Sequence, residues 1–548
     1  MPRHTQDKGN IPDRFLTQLK RDLIFRRIES GIRSLQANRH RFRCCRPGQE
    51  NSAVSLGYLA AWVDVGFAAP RLVEQLLARF RKVSRGELAL VDYLHLRLAE
   101  GYMAMSWGRL DEAIQHFETV LAFEPEIADK ELMIIANFWI ARCKRIQGRY
   151  GDALRYVEKA KRAALQMGYS NMEAVIEVLQ AWCVFQEGRP SEARKMLEEA
   201  ELVLQKTDDH VTRGNINSVY GRIARDEGNY DQALLRFANA IADYKKRDPK
   251  HRNLARTLVN VALVERLLAL QLRDQINRDS AQRRGAQLSR TARETSSNRQ
   301  HLERFYREAF KHLEEARAIY SYHNEHRGLG NIHIARSYLY LDKGELDRAA
   351  SEGVSAYRIG TDKNDFILKA RARIVQSAVA YCRSEEQIEE GGSYIKSSQL
   401  ALELAREAVE YAKETQNRPL MAHSYIALGL AFCTDISADR EEAQECCDEA
   451  MTLLKPKIDD YVWRELRMLK RILSSTGSVD SRLREWSEGL VRNKTFKQIS
   501  EEFAVMVIPK VWAREGHKIS RVVARLSISP KKVRKILRAQ GLLSGSTY

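Results

Sequence analysis

The residues best placed to do chemistry lie near the end of the chain, in KISRVVARLSISPKKVRKIL, residues 518–537. An apolar residue recurs there every third or fourth position, while Lys531, Lys532, Arg534, Lys535 and the nearby Arg538 crowd the second half. The spacing predicts a short helix with Ile519, Val522, Val523 and Leu526 inward, a turn at Ser527 and Ile528, and a second helix with Val533, Ile536 and Leu537 inward. Ser529 can cap that second helix, Pro530 suits its first position and Gly541 its end. Bases opposite an apolar stripe suit contact with a polyanion, because Lys and Arg displace the counterions of phosphates. The bland alternative is a basic terminal helix pair that only caps a larger helical protein.

Other chemistry is not signalled. There is no G-x-x-x-x-G-K-[ST] phosphate loop, no G-x-S-x-G and no H-E-x-x-H. The eight Cys include two adjacent pairs, Cys44–Cys45 and Cys446–Cys447, but no C-x-x-C, so zinc and redox sites are not indicated and a reducing cytoplasm fits. His323, His326 and His333 gather in HNEHRGLGNIH and read as surface histidines of a turn rather than metal ligands. No enzyme activity and no cofactor are expected. The first 20 residues lack an apolar run, and the apolar stretch at 58–70 is too short to span a bilayer, so a soluble, cytoplasmic protein is expected.

These bases need elements to position them. At 548 residues with 11 Pro, the chain is too long for one core and its composition favours helix. The net charge of +18 is uneven: residues 1–50 carry +7, residues 272–300 +4 and residues 508–548 +9, leaving the rest near neutral. That distribution points to a polyanion met at particular places.

A repeat of 40 residues organises the middle. Turn glycines Gly108, Gly148, Gly188 and Gly228 are each followed five residues later by Ala113, Ala153, Ala193 and Ala233. Small residues Gly101, Ala141, Ala181 and Gly221 precede the turns by seven, and large ones, Phe117, Val157, Leu197 and Phe237, follow the alanines by four. This is the pattern of a helical hairpin: small residues let two antiparallel helices approach, Gly makes the turn and the large residue covers the contact. One hairpin cannot bury its apolar face alone, so the reading is an all-α solenoid of about eight hairpins. The later repeats keep the ruler through Ala309 and Ala316, Gly344, Ala349 and Ala356, Ala401 and Ala408, and Gly429, Ala443 and Ala450.

The pattern resembles the tetratricopeptide repeat family, with a period six residues longer than usual, and so resembles the superhelical sensor domains of some bacterial regulators. The resemblance implies that the first helix of each repeat lines an inner groove. By register, His95, Tyr102, Arg142, Trp182, Phe185, Asn215, Arg222, Arg225 and Tyr338 are the candidates for binding a peptide or protein partner there. For Trp182 and Phe185, packing between repeats is at least as good a reading. Around the array, residues 1–91 are helix-like but out of register, an N-terminal cap or degenerate repeats. The solenoid spans 92–473, broken by a basic insertion at 272–300, read as a loop or partly disordered, and a shorter insertion at 384–398. A linker follows at 474–480, then the terminal module at 481–548, with helices expected near 481–492 and 495–515.

The C-terminal stretch resembles the Fis-type helix-turn-helix, in which Ser520, Leu526, Ile528, Ser529, Leu537, Gly541 and Leu542 match. Val522, Val523, Ser527 and Pro530 depart from the family's usual residues. The resemblance implies binding to duplex DNA through Arg521, Ser529, Lys531, Lys532, Arg534, Lys535 and Arg538. It also implies a homodimer formed through the preceding apolar face, which carries Phe496, Ile499, Phe503, Val507, Ile508, Val511 and Trp512. The expectation is a transcriptional regulator; the alternative is a scaffold that binds proteins and no DNA.

Overall fold

The structure, a computed structural model, describes residues 10–123, 126, 129–283, 291–389, 394–415, 417–434, 439–454, 461–474, 486, 494–540 and 542–543. Every regular element among them is helical. The chain divides into two compact units, residues 1–472 and 473–548.

The first unit begins with α1 (Asp13–Ile24), α2 (Ile28–Ala37), α3 (Arg39–Cys44), α4 (Ser52–Asp64) and α5 (Pro70–Phe80). Eight antiparallel pairs follow. They are α6 (Leu90–Ser106) with α7 (Leu110–Leu121), α8 (Lys130–Ile146) with α9 (Tyr150–Gln166), α10 (Ser170–Gln186) with α11 (Pro190–Leu204), and α12 (His210–Asp226) with α13 (Tyr230–Arg247). The second four are α14 (Arg252–Arg283) with α15 (Thr291–Tyr322), α16 (His326–Asp342) with α17 (Leu346–Asp362), α18 (Phe366–Glu389) with α19 (Ile395–Lys413), and α20 (Arg418–Phe432) with α21 (Arg440–Leu453). α22 (Tyr461–Ser474) comes last. This is the expected all-α, tetratricopeptide-like solenoid.

The ruler has a physical basis at each mark. Gly108, Gly148, Gly188 and Gly228 all hold φ between 78° and 82°, the left-handed region where a side chain is strained. A methyl group added to Gly221 would lie 2.6 Å from the Phe237 ring, and one on Gly101 would lie 2.4 Å from Phe117. Glycine on the first helix therefore makes room for an aromatic on the second, and both phenylalanines are fully buried. Ala113, Ala153, Ala193, Ala233, Ala309 and Ala349 are fully buried too, as close helix approach requires.

Residues 272–300 correct the sequence reading. They were expected to loop out, but α14 continues to Arg283 and α15 begins at Thr291, so only 284–290 lie outside the described residues. The described parts, 272–283 and 291–300, have no Pro and are rich in Arg, Gln and Ala, residues compatible with helix, and they continue helices whose apolar packing lies in the adjoining repeat. α18 and α19 likewise extend into the 384–398 segment, with 390–393 outside the described residues.

Contacts between residues far apart in sequence tie the first unit together. Arg26, which ends the turn before α2, donates to Asp209 at 2.7 Å across a separation of 183 residues. Asp208 accepts from the backbone N–H groups of Ile28 and Glu29 at 2.7 Å, capping α2. Arg252 donates to the Ser106 carbonyl at 3.1 Å, and Arg464 to the Tyr230 hydroxyl at 2.6 Å. These bonds join helices far apart along the array.

In the second unit three helices are described: Phe496–Arg514, Ile519–Leu526 and Pro530–Ala539. The first runs through Pro509 and opens with a capping box between Thr495 and Gln498. Of the linker expected at 474–480, Ser474 ends α22; the rest of it, the helix expected near 481–492 (Trp486 apart) and Gly541 lie outside the described residues.

Candidate functional sites: an arginine-lined channel and a basic helix

The first helices of successive pairs turn one face inward around a cavity of about 1060 Å³. α6 supplies Tyr102, α8 Arg142 and Arg145, α10 Trp182, and α12 Asn215, Arg222 and Arg225. α14 adds Arg256 and Arg266, α16 Tyr338 and α18 Arg371. The 40-residue period stacks Arg142, Trp182 and Arg222 in one register on α8, α10 and α12.

Seven of the nine groove candidates line this cavity: Tyr102, Arg142, Trp182, Asn215, Arg222, Arg225 and Tyr338. His95 and Phe185 do not. His95 is fully buried under α4, with its ring 5.2 Å from that of Tyr58 and its Nε2 3.7 Å from the Asp129 carboxylate. Counting along α6 could not show that α4 covers that face. Phe185 is 2% exposed in the apolar core between α10, α11 and α12.

The channel arginines fall into two kinds. Some are neutralised. Arg142 donates to Asp64, and that carboxylate outweighs burial to hold the guanidinium above its ordinary pKa. Arg266 makes two bonds to Asp342, at 2.5 and 3.1 Å, and lies over the Tyr338 ring at 4.6 Å. Arg225 donates to Asp226 at 2.8 Å and to Asn260 at 3.0 Å.

Others have no carboxylate: Arg371 donates to the Asn331 side chain at 3.0 Å, and Arg252 and Arg418 donate to backbone carbonyls, which leaves three without an acceptor. Among the described residues, the guanidiniums of Arg145, Arg222 and Arg256 make no ion pair and no side-chain hydrogen bond. Arg145 stacks over the Trp182 ring at 4.6 Å, and its Nε is buried without a hydrogen-bond acceptor. Burial, with Arg256 and Arg142 nearby, pulls Arg145 down to about 9. Burial and then Arg225 and Arg256 pull Arg222 down to about 9 as well. The guanidiniums are thus close enough to repel one another in a partly dry channel, where like charges interact strongly. Sequence reading missed Arg145, Arg256 and Arg371. Arg145 does lie one helical turn beyond Arg142, and that i, i+3 spacing was the available signal.

His323, His326 and His333 meet the Lys250 carbonyl, Asp365 and Glu352, respectively; His323 lies in the turn, whereas His326 and His333 are half-buried on α16. No cluster of metal-ligating side chains occurs among the described residues.

The basic tail has a different geometry. Ser527 adopts φ 51°, a left-handed turn residue between the last two helices. Ser529 accepts from the Lys532 N–H at 3.3 Å and Pro530 takes the first helical position. Val522, Val533, Ile536 and Leu537 are buried together with Ile508 of the Phe496–Arg514 helix. Arg521, Ser529, Lys531, Lys532, Arg534, Lys535 and Arg538 are all exposed. None of those six bases has an ion pair among the described residues, whereas Arg525 is held by Glu515 at 2.7 Å. The apolar face of the Phe496–Arg514 helix is only partly used: Phe496 is 85% and Phe503 48% exposed. No described helix is long and apolar enough to cross a membrane.

No family model matches the chain, and no curated relative does. Among solved structures, the human IFIT1 dimer with PPP-AAAA is 15% identical over 82% of this chain and 97% of that one, with a TM-score of 0.41. The apo form of the quorum sensor NprR from B. thuringiensis is 14% identical over 80% and 98%, with a TM-score of 0.38. The Rap conjugation gene regulator of the plasmid pLS20, in complex with the Phr* peptide, is 12% identical over 74% and 96%, with a TM-score of 0.41. Likeness at this level says nothing of what the present chain binds. Its own architecture defines a class: a tetratricopeptide-like helical solenoid with a cationic inner channel, and a separate basic unit in which three helices are described.

Proposed function

We propose that this chain is a cytoplasmic, non-enzymatic transcriptional regulator. Its solenoid takes a peptide or protein segment into the inner channel, and its C-terminal helix-turn-helix binds duplex DNA. The observation that carries this reading is the exposed row Lys531, Lys532, Arg534, Lys535 and Arg538, left without counter-charges among the described residues on a helix whose other face is buried. Ser529 and the first amides of that helix are placed to meet a phosphate, and the bases beyond them to meet further phosphates or base edges. Exposed Phe496 and Phe503 support pairing of two copies, which would double the number of phosphates engaged.

The test is binding of the full chain to duplex DNA across a salt series. Affinity should fall steeply with salt. Replacing Lys532 and Lys535 together by Ala should flatten the slope of log K against log [salt] by about 2 per protomer. Salt-independent binding, or a slope untouched by the double substitution, would reject the DNA reading and favour a scaffold role.

A further inference from the structure

The channel holds an imbalance of charge that its own residues do not resolve. Arg26, Arg142, Arg225, Arg266 and Arg327 each have a carboxylate partner, at Asp209, Asp64, Asp226, Asp342 and Asp365. Arg145, Arg222 and Arg256 line the same cavity without one, and they come from three different helices, α8, α12 and α14. A lone exposed arginine needs no account. A set of half-buried guanidiniums that repel one another, one with an acceptorless buried Nε, is costly to keep unless something else supplies negative charge. One carboxylate cannot balance three cations, so the missing partner carries at least two negative groups.

The lining narrows its chemistry. Two half-buried side-chain amides share the cavity with the arginines and keep one group each for a peptide: Asn253, whose Nδ2 donates to Asn215, has its oxygen left to meet an N–H, and Asn331, whose oxygen accepts from Arg371, has its NH2 left to meet a C=O. The indole of Trp182 and the ring of Tyr150 stand 5.6 Å apart beside Arg145, giving an apolar wall. Cations distributed over three helices, with amides between them, match an extended segment that places successive side chains at intervals. They match a single compact phosphate group less well.

We propose that the segment received by this channel is acidic, a peptide stretch with two or three carboxylates seated at Arg145, Arg222 and Arg256. This rests on the reading that the channel binds a peptide. Carboxylates suit the site because guanidinium forks pair with them through two parallel bonds, strongest where water is excluded.

A random dodecapeptide display library panned against the full chain tests this. Enriched peptides should carry at least twice the Asp and Glu content of the input. That excess should vanish when the same library is panned against a chain carrying Arg222→Gln and Arg256→Gln. Thermal melting of the variant checks its fold; if it fails to fold, Arg145→Gln alone replaces it. Enrichment without an acidic excess overturns the acidic inference and leaves the peptide reading standing. If no peptide enriches, the peptide reading fails and this inference with it. If pyrophosphate raises the melting temperature through Arg222 while no peptide enriches, the cluster is a phosphate site and the proposal is overturned.

Discussion

Arginines inside a protein are usually assumed to stabilise it, and Arg222 is expected to do the opposite. Its guanidinium, drawn down to about 9 by burial and by Arg225 and Arg256, is held in the folded state at a cost. At about 1.4 kcal/mol per tenfold change in proton affinity, the fall from an ordinary guanidinium sets an upper bound of roughly 5 kcal/mol. Water entering a channel of about 1060 Å³ screens much of this, and a net penalty of about 1–2 kcal/mol is realistic. The folded state binds this proton less tightly than the unfolded chain does. The penalty is therefore present in full at neutral pH, where the guanidinium is charged in both states. Arg222→Met keeps the apolar stem and removes the charge, so at pH 7 it should raise the unfolding midpoint. For a unit of this size, about 1–2 kcal/mol corresponds to a rise of roughly 1–4 °C. Differential scanning calorimetry at low salt, without ligand, reads it directly. A fall of 2 °C or more would show that Arg222 is satisfied within the fold, and the argument for a missing anionic partner would collapse.

Removing the partner of a balanced arginine should have the opposite sign. Asp209 is fully buried, and although burial alone would raise its pKa, Arg26 and Thr212 together hold it below the ordinary carboxylate range. Asp209→Asn should cost about 3–5 kcal/mol in urea unfolding. In the unsubstituted chain that contribution should be complete above about pH 4 and lost as pH falls through the lowered folded value, which a pH series of urea midpoints checks. Gly221→Ala pushes a methyl group to 2.6 Å from the Phe237 ring and should cost about 1–3 kcal/mol. Combining it with Phe237→Leu should recover part of that loss; a double substitution worse than the two singles together would contradict the proposed packing.

The repeat was legible because its marks are compositional. A Gly that must hold φ near 80°, and an alanine that must be fully buried, are readable one letter at a time. The groove was legible only where helix phase decides the facing, as for Arg142, Trp182 and Arg222 along one register. It failed at His95, because α4, outside the repeat register, packs over the face that the count left open. It failed at Arg145 and Arg256 because the importance of a charge lies in the partners it lacks, which no pattern of one chain displays. At 272–283 and 291–300, polar composition points to a loop, although helices nucleated by the packed repeat on either side can extend through residues that are only compatible with helix.

Repeat arrays generally behave as chains of semi-independent units, each answering only to its neighbours, so that they fray from the ends. The bonds Arg26–Asp209, Arg252–Ser106 and Arg464–Tyr230 span 183, 146 and 234 residues and change that connectivity. They close the line into a network with cross-links: the first helices are fastened to the fourth pair, and the last helix to that same pair. The fourth pair, which lines the channel through α12, is thereby bonded directly to both the first helices and the last, bypassing the repeats in between.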